Sequence, residues 1–284
     1  MPGSGPTVTS NRDPLERARR VASEIARDAG RVLLEGWGTR PTVGIKGDEI
    51  NLITEYDRRS EALIVERLAA AFPDDRIVAE EGTNRAGEPG GSLRVWYVDP
   101  LDGTTNFAHG MPIFSVSIGL CINRRPVLGV VEAPALNWSF SGTITGGGST
   151  LNGKPIVPSR IDRLGSALLV TGFPYQRNPL QNNLAEFGAL TAAAQGTRRF
   201  GSAALDLCFV ACGWLDGYWE RALHPWDLVA GAAIVLGAGG QATDLDGGTF
   251  DGETGRVLAS NGHIHDQMVR ILRGVAQRGN APWP

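Results

Sequence analysis

The sequence predicts an α/β protein of two unlike halves, an α+β half over residues 14–155 and an α/β half over residues 156–284. Three observations predict it. Apolar residues recur at helical spacing twice near the start, short β-branched or aromatic runs separated by turn residues follow, and from about residue 156 strand-like and helix-like segments alternate. At 284 residues, 42% hydrophobic and 20% charged, the chain is long enough to bury a sizeable core.

Taken in order, residues 1–13 are rich in Pro, Gly, Ser and Thr and are expected to form a disordered leader. Leu15, Ala18, Ala22, Ile25, Ala29 and Val32 then mark an amphipathic helix that stops near Gly36 and Gly38. Thr54, with Asp57 three residues on, announces a second helix that runs through Leu63, Ile64 and Leu68 to a stop at Phe72-Pro73. Runs at 77–79, 95–98, 114–121, 127–132 and 138–143 fit a mostly antiparallel sheet. The second half reads as a strand at 167–171, helices at 181–194 and 202–212, a strand at 217–220, a helix at 225–236, a strand at 257–259 and a closing helix from His265. The two halves are expected to share an interface, where ligand sites tend to lie.

Composition narrows the function. A formal net charge of -3 gives no electrostatic reason to expect nucleic acid or an anionic membrane, so the expected partner is a small molecule. No apolar run approaches the roughly 20 residues that span a bilayer, and the start lacks an apolar signal core, which leads us to expect a cytoplasmic protein. The three cysteines include no Cys-x-x-Cys pair and read as core residues; the histidines lack zinc-ligand spacing. Gly148 to Lys154 matches most of a phosphate-loop pattern, but Pro155 stands where Ser or Thr is required, and Asn152-Gly153 signals a hairpin turn instead.

What remains is acidic. Asp57, Glu80 with Glu81, Asp99 with Asp102, and Asp227 each lie at a strand end or helix start. The stretch "DPLDGTTNF" from Asp99 to Phe107 suits a type I turn, and the same turn can gather two carboxylates and the amides of Gly103, Thr104 and Thr105 around one point. If the strand before them continues, Glu80 and Glu81 point to opposite faces, so only one is expected to join a common site. Asp227 in "HPWD" has its own structural reading, an acid at a helix start behind Pro225. Converging carboxylates repel, a divalent cation relieves the repulsion, and an all-oxygen ligand set favours magnesium, manganese or calcium. Spacing alone leaves the structural and the metal readings both open.

"VAEEG", "DPLDGTTNF" and "HPWDLVAG", in that order, resemble the inositol monophosphatase family of magnesium-dependent, lithium-sensitive phosphatases. Lys46, "NLITEYD", "GGGSTLNGKPI", "LLVTGFPY", "FGSAALDLC" and "GYWE" extend the resemblance over about residues 14–275. It implies a five-layered αβαβα sandwich, a homodimer, and two or three magnesium ions. Glu80, Asp99 and the main-chain carbonyl of Leu101 are implied for one ion, Asp99, Asp102 and Asp227 for a second, and Glu80 with Asp57 nearby for a weaker third. Thr104, paired with Asp57, is implied to orient and deprotonate water, the amides of Gly103 and Thr104 to hold phosphate, and Ser202, Ala203 and Glu220 to line the polyol side. The family often has Asp where this chain has Asn51. The implied reaction is hydrolysis of an inositol monophosphate, with fructose 1,6-bisphosphate, histidinol phosphate and a non-catalytic binding role as alternatives; a lysine often stands at the position of Thr105 in the histidinol-phosphatase branch.

Overall fold

The structure is a computed structural model that describes residues 14–39, 41–45, 52–87, 93–145, 147–174 and 182–278. The leader, Lys46 and Asn51 lie outside the described residues.

Five layers stack on one another. The first holds α1 (Pro14–Gly36) and α2 (Glu55–Ala71), with the small pair β1 (Val43–Ile45) and β2 (Leu52–Thr54) between them in sequence. The second is a seven-stranded sheet in the order β3 (Arg76–Ala79), β4 (Arg94–Asp102), β5 (Ser115–Ile122), β6 (Arg125–Ala133), β7 (Trp138–Thr143), β8 (Gly148–Leu151) and β9 (Lys154–Pro155). Only the β3–β4 pairing is parallel, as the expectation of a mostly antiparallel sheet requires. A five-residue helix, α3 (Thr104–Ala108), follows β4. The middle layer is α5 (Ala203–Ala211) with α6 (Pro225–Gly237). A second sheet follows, ordered β11 (Gly196–Arg198), β10 (Leu168–Thr171), β12 (Gly217–Glu220), β14 (Val257–Ser260), β13 (Gln241–Thr243), and α4 (Leu184–Ala193) with α7 (His265–Gln277) covers its far face.

Three large apolar cores and a small one, at Tyr97, Cys121 and Val229, fill the spaces between layers. Ala18, Ala22 and Ile25 of α1 and Ile64 and Leu68 of α2 pack on Trp96, Ile118 and Val130. Leu207 and Ile234 join Val131 and Phe140 to Tyr218 and Val257. Leu190, Met268 and Leu272 close on Leu169, Trp219 and Leu258. Removal of this apolar surface from water is the main force that holds the layers together.

The middle layer sits unusually close to the large sheet. Gly119, Gly129 and Gly142 are cross-strand neighbours on β5, β6 and β7. A Cβ on Gly129 would stand 1.9 Å from the carbonyl oxygen of Ala230, and one on Gly119 would stand 2.6 Å from the Ala230 amide nitrogen. The glycine stripe therefore forms a trough in which the α6 backbone lies, and this fixes where its first turn, with Asp227, is delivered.

Several boundaries differ from expectation. The strand through Ile77 ends at Ala79, so Glu80 and Glu81 lie in a turn and are not alternate strand residues. The "DPLD" stretch is not a turn either: β4 runs through Asp102, and the reversal comes at Gly103. The expected helix at 181–194 is described from Leu184, and β1, β2, β11 and β13 were not expected from sequence, being three residues each. Asn152 and Gly153 do form the β8–β9 hairpin, both with positive φ.

Candidate active site

The site begins with a bulge. Opposite β5, Asp99 pairs with Ser117 but Asp102 pairs with Ser115, so three residues of β4 span what two span on its neighbour. In a regular strand residues three apart point to opposite faces; here the extra residue brings both carboxylates to one face. Pro100, which cannot donate to the ladder, lies within the bulge. The loop is pinned internally, because the Leu101 amide donates to Asp99 Oδ1 at 2.9 Å.

One face of α2 clamps this region from the side. Thr54 caps the helix and its amide donates to Asp57 Oδ2 at 2.7 Å, which is the expected capping box. The other oxygen of Asp57 accepts from Thr104 Oγ1 at 3.3 Å, so the structural and the site readings of Asp57 both hold geometrically. Three and four residues on, Ser60 donates to the Pro100 carbonyl at 2.9 Å, and Glu61 accepts from the amides of Glu81 at 2.6 Å and Thr83 at 2.9 Å. Ser60 thus holds the bulge and Glu61 the turn beside Glu80. Neither was singled out from sequence; the signal was polar residues on the buried stripe of an amphipathic helix.

The middle layer contributes the rest. Asp102 Oδ2 accepts from Ser202 Oγ at 2.6 Å and from the Ala204 amide at 2.9 Å, at the start of α5. Asp227 Oδ2 accepts from the His224 amide at 2.7 Å, at the start of α6. Gly103 is left-handed, with φ 89°, and a Cβ there would stand 2.9 Å from the Ile113 carbonyl oxygen, so only glycine lets the chain turn directly from the bulge into α3. Thr104 Oγ1 also reaches the Leu101 carbonyl at 3.0 Å.

A cavity of about 530 Å³ collects these groups. Glu80, Asp99, Leu101, Asp102, Gly103, Thr104 and Asp227 line it, as do Ser202, Ala203 and Glu220. Of the residues named from sequence, Asp57 stands behind Thr104 rather than on the wall, and Glu81 is not on the wall. Arg199, Asp206, Phe173 and Trp226 line the cavity without having been anticipated.

Electrostatics fits a cation. Burial, then Glu80, Asp102 and Asp227, push the Asp99 carboxyl well above its ordinary range. Burial raises Asp102 to about 6 against the opposing bonds from Ser202 and Ala204, and burial with Glu80 raises Asp227 well above its usual value. Among the described residues no three such side chains form a closed ligand group. The oxygen-only donor set and the mutual repulsion nevertheless suit a hard divalent ion that would draw these carboxylates together. Glu220, also on the cavity, is raised to about 7, mainly by burial, while Tyr218 donates to its Oε2 at 2.7 Å.

No helix among the described residues is long and apolar enough to cross a membrane. Residues 15–277 match the model of the inositol monophosphatase family. The chain is 45% identical over 258 residues to an inositol-1-monophosphatase of Synechocystis, covering 90% of this chain and 89% of the relative. Among solved structures, inositol monophosphatase from Anabaena superposes with a TM-score of 0.82 at 43% identity, covering 92% of this chain and 97% of that one. The extragenic suppressor protein suhB from Bartonella henselae gives a TM-score of 0.83 at 35% identity, covering 90% and 98%. With sequence and layered fold matching over nearly the whole length, the chain belongs to the inositol monophosphatase family, whose members are phosphoric monoester hydrolases.

Proposed function

We propose that the chain is a magnesium-dependent phosphomonoesterase that hydrolyses inositol monophosphate to inositol and phosphate. The observation that carries this reading is one cavity lined by Glu80, by Asp99 and Asp102 of β4, by Asp227 of α6 and by Glu220 of β12. Glu80, Asp99 and the Leu101 carbonyl would hold one magnesium ion, Asp99, Asp102 and Asp227 a second, and Glu80 with Asp57 nearby a third. When bound, these ions would neutralise phosphoryl charge and make water a stronger nucleophile at neutral pH.

The chain's own groups do the rest. With its hydrogen directed at Asp57 Oδ1, 3.3 Å away, Thr104 Oγ1 accepts a proton from the attacking water as it passes its own to Asp57, which is the final base. The water oxygen attacks phosphorus, the ester P–O bond breaks, and the leaving alkoxide oxygen takes a proton from a solvent water. The amides of Gly103 and Thr104 hold the phosphate oxygens, and no side chain caps them. Ser202 and Ala203 border the polyol, and Glu220 accepts from its hydroxyls.

We also propose a homodimer. Supporting it, Trp214 is 47% exposed and packs at a tilt on Trp138, with ring centroids 4.8 Å apart, while Val157, whose carbonyl lies beside Gly213, is 70% exposed; such apolar surface favours a partner.

Phosphate release from inositol 1-phosphate, fructose 1,6-bisphosphate and histidinol phosphate, with and without magnesium, tests the activity. Inositol 1-phosphate is expected to be turned over fastest, and Asp227→Asn to reduce kcat roughly 100-fold or more. An Asp227→Asn enzyme as active as the wild type would sink the mechanism; preference for another phosphate would change only the substrate.

A further inference from the structure

Asp206 stands outside every role assigned above. It lies one turn into α5 from Ser202, so the two side chains share a helix face, and it lines the cavity together with Glu220 and Arg199. It is 1% exposed, its neighbours Leu205 and Leu207 belong to the apolar core, and its Oδ1 has no hydrogen-bond partner among the described residues. A buried oxygen without a partner destabilises a fold, and an alanine or leucine would pack at this point without that penalty. The carboxyl therefore serves something the folded chain alone does not supply.

We propose that Asp206 is a specificity-determining residue whose carboxyl accepts a hydrogen bond from a hydroxyl of the substrate's polyol, beside the hydroxyl taken by Glu220. This rests on the phosphomonoesterase reading above. Glu220 already has one oxygen engaged by Tyr218, so it cannot offer both oxygens freely to a substrate. A second carboxyl from α5 completes the wall for neighbouring hydroxyls. Burial drives both carboxyls toward the protonated form, and Arg199 on the same cavity opposes this; in either state a carboxyl oxygen can accept from a hydroxyl. The carboxyl also turns about its last torsion at little cost, so either oxygen can meet the ligand. An aryl phosphate, which has no hydroxyls, draws nothing from this pair.

The test compares wild type, Asp206→Asn and Asp206→Ala on inositol 1-phosphate and p-nitrophenyl phosphate, with the Tm of each protein. For Asp206→Ala, kcat/KM on inositol 1-phosphate is expected to fall roughly 10- to 100-fold, mainly through KM, and to fall at least about tenfold more than on p-nitrophenyl phosphate. Asp206→Asn, which keeps an acceptor oxygen, is expected to lie between the two. Tm is expected to hold or rise in both variants, because an unpartnered buried oxygen is removed or neutralised. Equal losses on the two substrates, no loss on inositol 1-phosphate, or a steep fall in Tm would overturn the role of Asp206 and leave the phosphatase reading standing. A wild type that releases phosphate from neither substrate would instead overturn that reading, and this role with it.

Discussion

Replacing Gly172 by alanine tests whether Glu220 is held where a polyol reader must be. Gly172 follows β10, and a Cβ on it would stand 2.3 Å from both carboxylate oxygens of Glu220 and 2.5 Å from its Cδ. Ordinary contact begins near 3.4 Å, so the carboxylate must retreat by about 1 Å. Gly172 is not among the residues with positive φ, so alanine itself is not strained there. The obstacle is the end of a flexible side chain beside a cavity, which makes the change inexpensive for the fold. What is disturbed is the 2.7 Å bond from Tyr218 to Glu220 and the bond that Glu220 accepts from the Gly172 backbone, a cost of about 1–3 kcal/mol and a fall in Tm of roughly 2–8 °C. Function is more exposed, since a displacement of about 1 Å in a positioned group can cost on the order of 100-fold in rate. Steady-state kinetics on inositol 1-phosphate and p-nitrophenyl phosphate, with calorimetry, separate the two effects: a large loss on the first substrate, a small one on the second and a modest drop in Tm are expected. If kcat/KM on inositol 1-phosphate is retained, Glu220 does not read the substrate from this position.

Two further perturbations address the fold and the charge cluster. Gly129→Ala forces a methyl group against the Ala230 carbonyl at 1.9 Å, a backbone atom that cannot swing aside; a destabilisation of about 3 kcal/mol is expected from denaturant unfolding, and an unchanged midpoint would refute the trough for α6. Burial raises Asp102 from 3.8 to about 6, and Asp99 and Asp227 rise as well. Folded values above the unfolded ones mean that the metal-free protein has this contribution in full below pH 3.8 and loses it as pH rises through about 6. Saturating magnesium is therefore expected to raise Tm more at pH 8 than at pH 5, by roughly 5 °C or more; an equal gain at both pH values would count against these carboxylates as ligands.

Local features were legible in the sequence where a local rule governs them. The first helix followed from the spacing of Ala18, Ala22, Ile25 and Ala29, all buried as that spacing requires, and the cap at Thr54 and Asp57 followed from a three-residue interval. Asp227 could be placed at a helix start because Pro225 sets the first turn. The bulge at Pro100-Leu101 could not be read in the same way, because a bulge exists only relative to the register of a partner strand, and β5 lies more than ten residues away. Ser60 and Glu61 were hidden for a similar reason: their partners at Pro100, Glu81 and Thr83 come from other elements.

By itself the sequence determined which groups are available: four acidic features, a glycine and threonine directly after the second aspartate of "DPLD", a later glutamate in "GYWE", and no histidines or cysteines at metal-ligand spacing. Tertiary structure alone decided that Asp99 and Asp102 share a face, that α6 lies close enough to the glycine stripe to bring Asp227 to them, that Glu80 rather than Glu81 lines the cavity, and that Asp206 is left there with an oxygen unpartnered among the described residues. The physical reason is that residue chemistry is carried by each position separately, whereas strand register, close backbone approach and burial depend on contacts between segments distant in the chain.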